Sequence, residues 1–397
     1  MTQDRILAAI TPQARNEPDS GIIRAAMHGF TVPGIIPLWA GEGTRPTPEV
    51  FARPAAEALM RGETFYTWQR GIPELRGALA RYHERNFGRP FDAENFFVTS
   101  GGMQAIQTIV QMIAGNGAEI VMPTPAWPNL AATLRIAGAR PVEVPMGFRN
   151  GRWSLDLDRL FDAVTPATRA IALNSPSNPV GWTAGLEDLT AIRDYCRKHG
   201  LWILGDEVYA RFYYGARSEA RAPSLLDVCD SEEQLLLANT FSKNWAMTGW
   251  RVGWLQAPRA LGPAIERIIQ INSSGTPAFL QRGCVAALDE GDAFIAQQVA
   301  EARAGRDLAI SMLGEIPGLH FEVPTGAFYF FFAVEGMTDS ALTVRRMIDE
   351  ARVGFAPGSA FGLGGEGHLR LCYLKDPATL REALARFQGW MKQSRPS

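Results

Sequence analysis

The chain has 397 residues, enough at roughly 150 per domain for two or three folding units with a sizeable core. An apolar fraction of 46%, with 39 glycines and 26 prolines, excludes both a disulfide-stapled mini-protein and a low-complexity disordered chain. With 39 basic against 41 acidic residues the net charge is −2, so no global excess of positive charge is available for a nucleic-acid backbone or an anionic membrane surface.

The N-terminal stretch MTQDRILAAITPQARNEPDS places acids and prolines where a secretory signal needs a continuous apolar run, so a cytoplasmic protein is expected. Short apolar runs bounded by turn residues predict strands at 119–122, 169–173, 201–204, 234–238 and 251–255. Segments 129–137, 157–164 and 186–199 space their apolar residues by three and four, and the last meets a stop signal at Gly200. This alternation predicts an α/β fold with crossover helices over a largely parallel sheet.

After about residue 290 the pattern changes to a long amphipathic helix at 294–313, a strand at 327–334, a helix at 341–352 and a strand at 368–374. A second, smaller α+β unit is expected there, with the N-terminal segment packing on it. The expected division is a large domain over 45–290 and a small domain formed by 1–44 and 291–397. The longest apolar run, 327–334, is far shorter than the roughly 18 to 20 residues a spanning helix requires. Cys196, Cys229, Cys284 and Cys372 stand far apart, without a CxxC pair or a histidine at ligand spacing, so neither a disulfide framework nor a metal site is expected.

Several predicted strands run directly into polar or aromatic clusters: PTPAW after Met122, NSPSNP after Leu173, GDEVY after Leu204 and NTFSK after Ala238. Loops are made of the same residue types. In open parallel sheets, however, ligands bind beyond the carboxyl ends of the strands, and several such clusters with complementary chemistry point to one shared crevice.

Within NTFSK, a lone Lys243 would ordinarily be a solvated charge. Its neighbours Phe241, Trp245, Met247 and Trp250 would desolvate the ammonium, lower its pKa and free the amine to form a Schiff base. Ser100, Gly101 and Gly102 join a strand-like run to an amphipathic helix, either as a tight turn or as a seat for an anion on bare backbone amides. Arg251, a planar donor fork, and the hydroxyls of Thr240 and Ser242 would complete a phosphate cup. The GLGGEG segment at 362–367 fits a dinucleotide fingerprint literally, but the strand-like HLRLCYL follows it where that fingerprint needs a helix, so a loop is expected.

Taken together the residues resemble the class I/II aminotransferases of fold type I, which use pyridoxal 5′-phosphate. The resemblance runs, in order, through LWAGEG at Gly41, YTWQRGIPELRGALARY at 66–82, TSGGMQAI, PTPAW, NSPSNPVG, GDEVY, FSKNWAMTGWRVGW, PTGAFYFF and APGSAFG with HLRL. It implies a mostly parallel seven-stranded sheet in the large domain. Lys243 resembles the lysine that holds the cofactor as a Schiff base and then shuttles the proton between Cα and the cofactor. Asp206 resembles the carboxylate paired with the pyridine nitrogen, and Tyr209 and Asn178 the pair that hydrogen-bonds the phenolic oxygen. Trp127 matches the aromatic residue stacked on the ring. Gly101, Gly102, Met103, Thr240, Ser242 and Arg251 match the phosphate cup. Tyr66 matches a tyrosine that reaches the phosphate in a neighbouring subunit, which implies a homodimer with shared active sites. Arg370 resembles the arginine that grips the substrate α-carboxylate, with Gly41 and Asn178 assisting.

The implied activity is ping-pong transfer of an amino group from an L-amino acid to a 2-oxo acid. A C–S β-lyase, or another Cα-deprotonating enzyme on the same scaffold, is the alternative. In one aspartate-specific branch of the family a lysine follows the two glycines; here Met103 stands there, which favours an aromatic or aliphatic substrate. Ile22, Ile23, Ile35 and Ile36 are candidates for an apolar pocket, while Arg24 leaves an acidic substrate open.

Overall fold

The structure, a computed structural model, describes residues 3–115, 117–215 and 221–393. Seven strands form the main sheet: β1 (Phe96–Thr99), β2 (Glu119–Thr124), β3 (Arg140–Pro145), β4 (Thr168–Asn174), β5 (Trp202–Asp206), β6 (Leu235–Thr240) and β7 (Gly253–Gln256). Their spatial order is β1-β7-β6-β5-β4-β2-β3, and every neighbouring pair is parallel except the two made by β7. The reversal of β7 has a local cause. Only a short helix (Phe241–Asn244) and one 3-10 turn (Thr248–Trp250) separate it from β6, with no helix long enough to span the sheet as a parallel crossover does.

Side chains alternate between the two faces of this sheet. Ile120, Met122, Ala170, Ala172, Leu204, Leu236 and Ala238 pack with Ala105, Ile109 and Ile265 from helices on one side. Their sequence neighbours Val121, Ile171, Leu173, Ile203, Leu235 and Leu237 pack with Leu189, Ile192 and Cys196 on the other. Burial of both faces explains why the central strands read as continuous apolar runs. The helix Leu186–His199 has Asp188 accepting the Gly185 amide at 3.2 Å and ends where Gly200 turns left-handed at φ +65°. Strand β3 was not predicted. It sits at the sheet edge, is only partly buried and carries Pro141 and Pro145, which an edge tolerates.

A second, antiparallel sheet is built from β8 (Leu319–Phe321), β9 (Tyr329–Val334), β10 (Ala356–Pro357) and β11 (His368–Cys372), in the order β8-β9-β11-β10. Helices Asp292–Leu313, Ser340–Ala351 and Pro377–Gln393 accompany it. The N-terminal segment shares this core through Ala26, Leu38 and Trp39. Ile36–Pro37 pairs in parallel with Val353–Gly354, and the Cys372 amide donates to the Leu38 carbonyl at 2.9 Å. The GLGGEG segment is a loop entering β11, with positive φ at Gly362, Gly364 and Gly367. Among the described residues no helix is long and apolar enough to cross a membrane.

Candidate active site

The carboxyl ends of the parallel strands and the N-terminal segment enclose a cavity of about 430 Å³. Lys243 enters it from the one-turn helix that follows β6. Its amine donates to the Gly41 carbonyl at 2.8 Å. Burial, reinforced by Arg370 and Arg251 against the opposing pull of Cys372 and Glu42, lowers its pKa to about 8. An amine in that range keeps a minor but usable neutral fraction near physiological pH, far more than an ordinary lysine, and that fraction can attack a carbonyl.

Asp206 ends β5 on the same cavity. Burial raises its carboxyl from 3.8 to about 6, against a stabilising bond from the Val208 amide at 3.3 Å and the charge of Lys243. A buried carboxylate with so little compensation is a costly group that a cation in the cavity would satisfy. The strand end is held from its neighbour β4: Asn174 Nδ2 donates to the Asp206 carbonyl at 3.0 Å, and Asn174 Oδ1 accepts the Asn178 amide at 2.8 Å. Trp127, half-buried, lines the cavity from the position just before the helix Pro128–Ile136.

Beyond β1 the helix Gly102–Ile113 starts with Gly101 at φ +82°, a conformation that favours glycine. A Cβ at Gly101 would also fall 2.6 Å from Arg251 Nη2, so the guanidinium lies directly on the bare backbone. The first intrahelical bond at this end is made by Gln104, at 3.2 Å, which leaves the Gly102 and Met103 amides ahead of the ladder. The Ser242 amide donates to Thr240 Oγ1 at 3.1 Å, and the two hydroxyls lie 2.9 Å apart. Amides, hydroxyls and a guanidinium facing one volume make a seat for an oxyanion.

Arg370, in the middle of β11, is buried and faces the cavity. Its Nη1 donates to Asn178 Oδ1 at 2.9 Å and its Nη2 to the Trp39 carbonyl. The guanidinium stands 4.5 Å over the ring of Tyr329 and 5.0 Å over that of Phe361, and its Nε has no hydrogen-bond partner among the described residues. Tyr209 and Tyr329 face each other at 2.7 Å between hydroxyl oxygens. Gly41 packs its backbone against the Tyr329 hydroxyl so closely that a side chain there would collide with it.

The structure thus brings Gly41, Gly102, Met103, Trp127, Asn178, Asp206, Tyr209, Thr240, Ser242, Lys243, Arg251 and Arg370 onto one cavity, with Gly101 under Arg251. Tyr66 is not among them: it is 94% exposed on its own chain. Asn174 and Tyr329 were not singled out, although both lie within quoted motifs, NSPSNP and PTGAFYFF. Ile22 and Ile23 line the cavity from the helix Gly21–Gly29, joined by Ala26 and Phe30. Ile35 and Ile36 do not; they belong to the core beneath the second sheet. Arg24 lies on another face of that helix and lines a separate cavity with His28 and Arg345.

A family model described as aminotransferase class I and II matches residues 34–387. Aromatic-amino-acid aminotransferase 2 of Thermococcus litoralis is 34% identical over 371 residues, 92% of this chain and 93% of that protein. Aspartate aminotransferase of Pyrococcus horikoshii is 31% identical over 357 residues, 89% of this chain and 90% of that protein. Among solved structures, a single mutant of Thermus thermophilus aspartate aminotransferase has a TM-score of 0.89 and 30% identity, covering 96% of this chain and 99% of that one. The chain therefore belongs to the class I and II aminotransferases, fold type I enzymes that use pyridoxal phosphate.

Proposed function

We propose that this aminotransferase takes its amino group from an L-amino acid with an uncharged, aromatic or aliphatic side chain and passes it to a 2-oxo acid in two half-reactions. The observation that carries this reading is the charge inventory of the cavity. Among the described lining residues the ionic groups are Asp206, Lys243, Arg251 and Arg370, and each has a task in the transfer itself. The wall that remains for a side chain is formed by Ile22, Ile23, Ala26, Phe30, Met103 and Ile106. Among the described residues lining the cavity, no further cation stands to neutralise a second carboxylate, which would be costly to bury unpaired.

The residues present fit pyridoxal phosphate: a poorly compensated buried carboxylate suits its ring nitrogen, a buried amine its aldehyde, and the glycine turn at Gly101 its phosphate. When bound, this cofactor supplies a carbonyl for the amino group and a cationic ring that delocalises the electrons left at a deprotonated Cα. Asp206 would keep the ring nitrogen protonated. Gly101, Gly102 and Met103, with Thr240, Ser242 and Arg251, would hold the phosphate; Trp127 would cover one ring face. Tyr209 and Asn178 would hydrogen-bond the ring hydroxyl. Arg370 would take the substrate carboxylate in its planar fork, assisted by Asn178 and Gly41, so that the Cα proton faces Lys243. Lys243 Nζ would first anchor the cofactor and, once released, accept that proton.

The same reading makes the protein a homodimer in which Tyr66 serves the second copy's phosphate site. Its support is the exposure of Phe65 at 86%, Tyr66 at 94% and Trp68 at 64%, aromatic surface that a partner would cover. It also assigns 45–290 to a large domain and 1–44 with 291–397 to a small one. Substrate held by Arg370 from the second and Lys243 from the first would then draw the two together. A cytoplasmic setting suits the four cysteines, all free and buried.

The test is to add amino acids singly to the cofactor-loaded enzyme and follow the cofactor absorbance. Phenylalanine, tyrosine or leucine should convert it to the aminated form, with aspartate and glutamate far slower. A panel in which only the acidic pair reacts would overturn the proposal, and ammonia with pyruvate formed without an added oxo acid would identify a lyase.

A further inference from the structure

Tyr329 opens β9, is 1% exposed, and touches several groups of the site at once. Its ring lies under the Arg370 guanidinium at 4.5 Å, its hydroxyl abuts the Gly41 backbone, and that hydroxyl is 2.7 Å from Tyr209 Oη. The two rings meet edge to face at 5.5 Å and 84°, which fixes the direction of approach. Burial pushes both phenols above their ordinary range, so each carries one hydrogen at working pH.

A buried hydroxyl must give its hydrogen to some acceptor. Among the described residues the hydrogen-bond partner of the Tyr329 hydroxyl is Tyr209 Oη, and any Cβ at Gly41 would collide with that hydroxyl. Both tyrosines line the cavity and either oxygen could donate in this pair; on the reading above, the Tyr209 hydrogen goes to the cofactor's ring hydroxyl, which leaves the Tyr209 oxygen to accept from Tyr329.

We propose that Tyr329 is a positioning residue that donates its hydroxyl hydrogen to Tyr209 and so aims the Tyr209 O–H into the cavity as a strengthened donor. A hydroxyl that accepts one hydrogen bond becomes a better donor in the next. The inference rests on the reading that Tyr209 faces the cofactor's ring hydroxyl. There, Tyr209 stabilises the deprotonated oxygen and holds down the pH at which the cofactor absorbance band titrates. Tyr329 adds to that effect only through Tyr209.

The experiment is a spectroscopic pH titration of the cofactor-loaded wild type, Tyr209→Phe, Tyr329→Phe and the double variant. Tyr209→Phe should raise the midpoint. Tyr329→Phe, which keeps the ring under Arg370, should raise it by about a fifth of that shift, the scale on which one hydrogen bond reinforces the next. The double variant should match Tyr209→Phe alone. If Tyr329→Phe fails to fold, Tyr329→Leu must move the midpoint in the same direction. A Tyr209 shift with no Tyr329 shift, a Tyr329 shift of opposite sign, or an additive double variant overturns the relay and spares the placement of Tyr209. An unmoved midpoint in Tyr209→Phe overturns both.

Discussion

Arg370 on β11 donates to Asn178 Oδ1 at 2.9 Å, tying the second sheet to the loop beyond β4 across 192 residues of chain. The fork is therefore held in plane before any substrate enters, stacked on Tyr329 and anchored to the Trp39 carbonyl. Asn178 in turn is fixed through its amide to Asn174, whose side chain also bonds the backbone of Asp206. The groups proposed to hold the substrate carboxylate and the cofactor nitrogen are thus tied to one strand end.

Arg370→Lys keeps the positive charge but loses the fork. A hydrogen bond to a charged group is worth about 1.5–3 kcal/mol, so kcat/KM for both the amino acid and the oxo acid should fall roughly 10- to 150-fold. Steady-state kinetics on both half-reactions checks this; unchanged kinetics would mean the carboxylate binds elsewhere.

Asp206 makes the cofactor-free protein pH-sensitive in a definite direction. Its folded value of about 6 lies above the ordinary 3.8, so between those values the folded state holds a proton that the unfolded state has lost. The contribution of this carboxyl to stability therefore declines as pH rises through that window and persists as a cost above it. At about 1.4 kcal/mol per unit, the cost near pH 7.5 is on the order of 3 kcal/mol. Cofactor-free Asp206→Asn should melt above cofactor-free wild type at pH 7.5, and the gap should close toward pH 4. Scanning calorimetry at both pH values reads it, and a variant that melts lower at pH 7.5 would contradict the account.

Met103→Lys places a cation on the apolar wall formed with Ile22, Ile23, Ala26, Phe30 and Ile106. The ratio of kcat/KM for aspartate over phenylalanine should rise roughly tenfold or more, the worth of one charge-assisted contact. A ratio that does not move would show that the distal end of the substrate lies away from Met103.

Much of this site was legible because its polar residues follow strands whose apolar runs are unmistakable: Asp206 after LWILG and Lys243 after LLLANT. The positions of Gly101 and Arg251 were visible as types, but their stacking depends on β7 running backwards between β1 and β6, and a strand's direction leaves no mark in its composition. Strand β3 was hidden by its prolines, and the pairing of Tyr209 with Tyr329 by 120 residues of intervening chain. Ile35 and Ile36 resemble Ile22 and Ile23 in type, yet fall in and beside a short strand instead of a helix, which turns them into the core.

Every step proposed for this enzyme requires pyridoxal phosphate to be bound covalently at the buried amine of Lys243. Reduction of the loaded enzyme with borohydride, followed by proteolysis and mass spectrometry of the peptides, tests it most directly. A single stable phosphopyridoxyl adduct on Lys243, absent from Lys243→Ala, is expected. An adduct on another lysine, or none, would contradict it.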